Sequence, residues 1–365
     1  MRWWYAFEEA SSKGSNRNAG SKARQDINLI LDDMGVTRIN VFDTLAEGDS
    51  SMLARLKKHR SIANHWLQSL QALESGDGLI LQVPCINHTI YIGKVIKDLK
   101  RRGVKIVIII HDLDSLRGML RDDVSMVHKR RIAVEEKPLL EGADAIISHN
   151  AFMSKALVDS YGISRDKIVD LEIFDYLCPD SAGSHGSSPH QGSVAVAGNL
   201  SPHKAGYLYD LPPSVSFSLY GVGLDQDRIS SLQNVSYKGS FPPDELPNIL
   251  GESFGLVWDG PSATTCEGAF GAYLRINNPH KTSLYLSAGI PVITWNEAAM
   301  ARFLSDERAG IAVSSLEQIH KELVTMTPDG YAELHSNAQA ISKRLRGGYY
   351  TRTAVTKACQ IAGGN

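Results

Sequence analysis

Apolar residues fall along this chain in short unbroken runs separated by stretches of helical period. Residues 79–83 (LILQV), 104–110 (VKIVIII) and 145–147 (AII) are too short for helices and rich in branched side chains, the pattern of strands buried on both faces of a parallel sheet. Ahead of the second run, apolar residues of 91–100 recur at helical spacing, and Arg102-Gly103 stops that helix just before the strand. That order is half of a βαβ unit. Strands are also predicted at 3–7 and 38–42 with a helix over 23–34 between them, and the alternation continues to about Tyr176.

A stretch of small and polar residues, 181–193 (SAGSHGSSPHQGS), then interrupts the pattern. It has nothing to bury and reads as a linker. Beyond it the pattern restarts, with strands at 193–197, 215–220, 254–258 and 291–294, a helix over 282–287, and closing helices over 331–345 and 353–361. The predicted class is α/β, in two successive halves whose parallel sheets are covered by helices. A length of 365 residues exceeds the size at which one core usually stops growing. The expected divisions are 1–180, the linker 181–193, a second domain over 194–345, and a final segment over 346–365.

Composition narrows the classes of function. A net charge of -2 with His neutral leaves no bulk basic field for nucleic acid. Local basic groups at 57–60 (KKHR), 100–102 (KRR) and 129–131 (KRR) are read as solvated helix faces, with an anionic membrane surface as the alternative. Cys85, Cys178, Cys266 and Cys359 form no CxxC pair, which argues against zinc and against a disulfide framework. The first residues lack a signal-peptide pattern, and no run approaches the roughly 20 apolar residues of a membrane span. A reduced, cytoplasmic protein is the expectation.

The chemistry is expected in the long segment after the strand at 254–258. It begins Asp259-Gly260, runs through Cys266, Glu267 and Tyr273, and ends Asn277-Asn278-Pro279-His280-Lys281. Loops at the C-terminal ends of parallel strands are where open α/β sheets bind ligands. The helix that follows offers unpaired N–H groups with Lys281 beside them, suited to a diphosphate. The plainer reading makes Asn278 an N-cap and Pro279 the first residue of an ordinary helix. Near the N-terminus, the polar stretch 13–21, with Gly20 and Ser21, opens a helix carrying Lys22, Arg24 and Asp26, either a loop that closes over ligand or a surface loop. No GxGxxG follows the first strand or the one at 193–197, which removes the nicotinamide oxidoreductases.

The runs 254–260 (FGLVWDG), 265–273 (TCEGAFGAY) and 277–287 (NNPHKTSLYLS) resemble those of the bacterial β-1,6-galactofuranosyltransferases of lipopolysaccharide and exopolysaccharide assembly. More loosely, the chain is similar to streptococcal glucosyltransferases that extend glycans on serine-rich adhesins. The segments 18–26 (NAGSKARQD), 111–118 (HDLDSLRG), 148–150 (SHN), 174–177 (FDYL), 197–201 (AGNLS) and His203-Lys204 extend the likeness over nearly the whole chain. The resemblance implies the GT-B fold, two Rossmann-like domains facing across a cleft. A UDP-sugar would be held by the second domain and a glycan acceptor, in some cases lipid-linked, by the first, with the last helix crossing back.

Carried onto this sequence, the resemblance puts Asn277, Asn278, His280 and Lys281 at the diphosphate with Lys204 as a second cation. Gly198 and Asn199 would form the strand-to-helix turn, and Asp259 and Tyr273 belong to the same donor motif. Tyr220-Gly221 and the turn at 238–241 would sit by the uracil. Asp112-x-Asp114 also fits the metal-binding pair of the other major glycosyltransferase fold. That pair, however, lies in the first domain, away from the donor motif, so a metal-independent reaction with no cofactor is expected. If an α-linked donor gives a β-product, the centre inverts, and one general base is needed. The candidates are His111, Asp112, Asp114, His149 and Asp26, with the plain alternative that His111 and His149 only satisfy backbone groups. UDP-glucose or UDP-galactose as donor, and a non-catalytic sugar-nucleotide-binding subunit, are the competing readings. Self-association is an expectation from the adhesin-glycan relatives, as is peripheral membrane association from a lipid-linked acceptor.

Overall fold

The computed structural model describes residues 1–8, 19–41, 51–119, 126–179 and 192–364. The chain divides into two compact units. One comprises Met1–Gly14, Ile27–Leu171 and Thr351–Asn365, and the other Ser15–Asp26 and Glu172–Tyr350. The predicted linker 181–193 lies almost wholly outside the described residues, as does most of the stretch 13–21.

In the first unit a six-stranded sheet runs in the order β2-β1-β3-β4-β5-β6, every pairing parallel. The strands are β1 (Trp3–Glu8), β2 (Thr37–Val41), β3 (Gly78–Val83), β4 (Lys105–Ile110), β5 (Ala145–Ser148) and β6 (Ile168–Asp170). Between them come α1 (Ala19–Asp33), of which the part up to Asp26, assigned by pattern to the first domain, gathers with the second unit, α2 (Met52–Ser69), α3 (Ile92–Arg101), α4 (Asp114–Met119), α5 (Met126–Gly142) and α6 (Ala151–Tyr161). The central strands β3 and β5 are buried at every position, and β4 at every position but its first, as their unbroken apolar runs demand. The helix α3 buries Ile92, Val95, Ile96 and Leu99, one stripe at helical spacing.

The second unit repeats the architecture in the order β12-β11-β10-β7-β8-β9, again all parallel. Its strands are β7 (Ser193–Asn199), β8 (Ser216–Val222), β9 (Val235–Gly239), β10 (Phe254–Val257), β11 (Val292–Trp295) and β12 (Gly310–Val313). Its helices are α7 (Pro202–Ala205), α8 (Gln226–Ile229), α9 (Leu246–Ile249), α10 (Gly268–Tyr273), α11 (His280–Ser287), α12 (Ala299–Asp306), α13 (Gln318–Thr325), α14 (Pro328–Arg346) and α15 (Tyr349–Gly363), the last running from Thr351 onward with the first unit.

Glu172 to Pro179, assigned by pattern to the first domain, gather with the second unit. The Phe174 carbonyl accepts from Ser283 Oγ (2.7 Å), and Tyr176 N donates to Leu345 O (3.3 Å). Ile173, Phe174 and Tyr176 are buried there. Among the described residues no helix is long and apolar enough to cross a membrane.

Candidate active site

The sheet of the second unit opens where its strand order reverses, between β7 and β10, the place at which open α/β sheets take ligands. The two strands pair only through Val194 and Ala195. Past that point the Ala197 N–H donates instead to the Tyr285 hydroxyl of α11 (2.7 Å). Tyr285 can lie against the sheet because residue 255 is glycine, where an added Cβ would fall 2.1 Å from its ring. Farther out, Gly260 N donates to Lys204 O (2.8 Å), tying the loop after β10 to the turn after β7.

The mouth of this crevice is built from glycines and one lysine. Gly198, next to last in β7, has φ +118° and faces Gly221 of β8, whose φ is +148°. A Cβ on Gly221 would lie 1.8 Å from the Gly198 carbonyl oxygen, so no other residue fits there. Over Gly198 runs the Lys281 side chain, with Cε 3.8 Å from where a Cβ would stand. Its Nζ pairs with Asp259 Oδ1 (2.8 Å) and also donates to Trp258 O (3.3 Å). Both members are largely buried, at 13% and 9% side-chain exposure.

The start of α11 corrects the plain helix-cap reading. The residue at the cap position is Pro279, which offers no side-chain bond, while the Asn278 amide donates to the Glu172 carbonyl (3.0 Å). The cap residue itself thus gives the first turn of α11 no side-chain bond, and Lys281 lies in that turn, an arrangement that favours an anion. Lys204 of α7 stands 5.5 Å over the ring of Phe270. Asn199 Oδ1 accepts from Ser201 N (3.0 Å), shaping the turn that leads to it.

In the first unit the candidate base segment follows β4. His111 N donates to Val83 O (2.8 Å), which holds the segment to β3. Gln82 donates its amide to Asn28 Oδ1 (2.7 Å), so its Oε1 accepts from His111 Nε2 (2.6 Å) and fixes the ring proton on that nitrogen. Asp112 pairs with Arg117 (2.6 Å), and Asp114 lies 4.0 Å from the same guanidinium. Glu136 of α5, buried, accepts from Ser115 N (3.3 Å) and so holds the start of α4. Burial pushes its carboxyl up to about 7.

Residues 10–173 match the family described as "Glucosyltransferase 3-like, N-terminal domain", and residues 194–358 its C-terminal domain. The chain is 36% identical, over 93% of its length and 94% of the relative's, to the β-1,6-galactofuranosyltransferase WbbI of Escherichia coli (strain K12). The chain belongs to this glycosyltransferase family. The transferase is also 27% identical to glucosyltransferase 3 of Streptococcus parasanguinis, over 78% of this chain and 79% of that one. In fold it resembles the sucrose-phosphate synthase of Thermosynechococcus elongatus, at a TM-score of 0.64 and 12% identity with both chains fully covered. Its fold is GT-B.

In the transferase Gly198, Asn199, Lys204, Asp259 and Lys281 lie about one crevice, and other expected residues are enclosed by partners of their own. Tyr220 is buried, and its hydroxyl donates to Glu252 Oε1 (2.7 Å). Tyr273 is likewise buried in α10. His280 stacks on Tyr176 (ring centroids 4.9 Å apart), and burial, helped by the Lys22 charge, draws its pKa down to about 4. His149 is enclosed and bonds the Ile110 carbonyl (3.1 Å). Burial lowers it too to about 4, so it stays neutral and secures the end of β4.

On α1, Gly20 lies in the first turn, Ser21 is exposed and Arg24 half-buried. Asp26 is enclosed against Lys22 and accepts from Leu177 N (3.1 Å), and burial raises its carboxyl to about 6. Lys22 reaches Asp244 as well (2.7 Å). Sequence reasoning named Lys22 on the helix with Arg24 and Asp26 but missed its partner Asp244, and it missed Gln82 and Glu136. Lys22 stood inside a quoted motif, but partners more than 150 positions away leave no trace in local spacing.

Proposed function

We propose that this glycosyltransferase moves galactofuranose from a UDP-sugar to a hydroxyl of a glycan acceptor in cell-surface polysaccharide synthesis, with no metal ion. The observation that carries the reading is Lys281 lying over Gly198 in the first turn of α11, whose cap residue Pro279 gives no side-chain bond. An incoming diphosphate would find a cation and backbone N–H groups there, beside a Gly198 that carries no side chain to block it. Lys281 would exchange Asp259 for the phosphates, and Lys204 would add a second positive charge. The sugar is taken from the name of the Escherichia coli relative.

In the reaction the acceptor oxygen bonds to the anomeric carbon as the bond from that carbon to the phosphate oxygen breaks. The acceptor proton passes to a base, and UDP leaves. His111, Asp112 and Asp114 of the first unit are the candidates kept for that base, none being enclosed as His149 is. Arg117, facing both Asp112 and Asp114, offsets one of their two charges, and this pair lies in the first unit while the lysines proposed for the diphosphate lie in the second, which supports a metal-free reaction.

The test is incubation of the protein with a panel of UDP-sugars, among them UDP-galactofuranose, UDP-glucose and UDP-galactose, and an alkyl glucoside acceptor, with and without EDTA. Transfer of galactofuranose that survives EDTA is the expected outcome, read as a mass gain on the acceptor. Transfer from UDP-glucose alone would replace the sugar, loss with EDTA would remove the metal-free reading, and absence of UDP binding would remove the donor site.

A further inference from the structure

Of the three basic groups in the sequence, the structure distinguishes two. Around 100–102 the charges are balanced, Lys100 by Asp144 (2.7 Å) and Arg101 and Arg102 by Asp98 (2.9 and 3.4 Å). The helix α2 is different. Its sequence, MLARLKKHRSIANHWLQS, holds no Asp or Glu, and Arg55, Lys57, Lys58 and Arg60 are all exposed with no acidic partner among the described residues. The side chains of 129–131 lie outside the described residues.

The first half of α2 also carries apolar side chains in water. Leu53 is 72% exposed and Leu56 40%, whereas burial sets in only at Ile62, Ala63 and Trp66. Leu53, Leu56, Lys57 and Arg60 are spaced i, i+3, i+4 and i+7, and so form one stripe of the helix. The helix is anchored at its middle, His59 O accepting from Thr89 Oγ1 (2.7 Å), and in its second half, Trp66 Nε1 donating to Asn87 O (3.0 Å). The helix thus presents, together, leucines and cations that no acid among the described residues balances.

We infer that the N-terminal half of α2 docks on an anionic phospholipid surface, the leucines entering the acyl boundary and Arg55, Lys57, Lys58 and Arg60 meeting the headgroups. A cationic helix with an apolar stripe is the physical signature of an interfacial helix. Nucleic acid also attracts cations, but it gives Leu53 and Leu56 nothing to enter. The inference goes beyond the transfer reaction and stands whichever sugar is moved.

Flotation of the full-length protein with phosphatidylcholine vesicles, with and without phosphatidylglycerol, tests it. The protein is expected to float only with the anionic vesicles, and salt is expected to release it. K57A/R60A should weaken vesicle affinity by at least about tenfold, and L53S/L56S should reduce it while leaving the melting temperature in place. K321E/K343E, charge changes on exposed lysines elsewhere, should leave binding intact. No flotation with anionic vesicles, flotation unchanged in K57A/R60A, or equal loss in K321E/K343E would each overturn the inference. So would binding to an RNA homopolymer as tight as to vesicles with L53S/L56S without effect on the vesicles.

Discussion

Lys281 and Asp259 form a pair in which each partner shields the other from a cost. With side chains only 13% and 9% exposed, removing the lysine leaves a nearly buried carboxylate unpaired, which costs about 1–3 kcal/mol of stability. K281M should therefore melt earlier than the wild type, and K281M/D259N should recover most of the loss because no charge is left stranded. UDP affinity should behave differently. It should fall about 10- to 100-fold in both variants that lack the lysine, the range of a lost charge-assisted bond, while D259N alone binds UDP at least as well as the wild type, freed of a competing carboxylate. Calorimetric titration with UDP beside thermal melting separates the two effects, and wild-type affinity in K281M/D259N would remove Lys281 from the donor site. This residue was legible in the sequence because a lysine in the first turn after a long polar loop has a local physical meaning. Gly221 was legible only as a neighbour of Tyr220; that its Cβ would strike the Gly198 carbonyl depends on the register of β7 and β8, which one strand read alone does not contain.

At the scale of elements, the strands found by pattern include all the interior ones, and the strands missed, β6, β9 and β12, all lie at sheet edges. An edge strand has one neighbour instead of two, so its apolar run is shorter and its faces half-wet, as the alternating burial of β9 shows. Contacts between helices were equally hidden, and Glu136 is the instructive case, since it links α5 to the start of α4 just after the base segment. Its carboxyl sits near 7 through burial, against bonds from Ser115 that favour the charge, whereas in an unfolded chain it would titrate at about 4.3. Between those values the folded protein keeps a proton that the unfolded chain has released. Its stability should therefore fall as pH rises through that window and level off above 7, by an amount on the order of 2 kcal/mol. E136Q, neutral throughout, should lose that slope. Denaturation midpoints at pH 5 and pH 8 measure it, and parallel shifts in the two proteins would show that Glu136 is ionised in the fold at both.

For the whole molecule, the two units carry different parts of the proposed reaction, and this division can be read without any acceptor. Each has its own parallel sheet and its own buried strands, and the residues gathered about the donor crevice, Gly198, Lys204, Gly221, Asp259 and Lys281, all belong to the second. A ligand that binds only the folded state stabilises it by about 2.7 kcal/mol at a hundredfold excess over its Kd, and amides close to the ligand, or opened only by unfolding its unit, gain protection. With UDP alone, hydrogen exchange should slow at the ends of β7 and β8, in the loop after β10 and through the first turn of α11, while β3, β4 and α4 exchange as before. Slowing confined to the β4–α4 segment would instead move the nucleotide to the first unit and make His111 and Asp112 donor ligands rather than candidate bases. Slowing at the crevice that disappears in K281M/D259N but persists in D259N would tie the whole-chain response to the Lys281 side chain, because D259N keeps the cation and the two variants otherwise share the glycines and the start of α11.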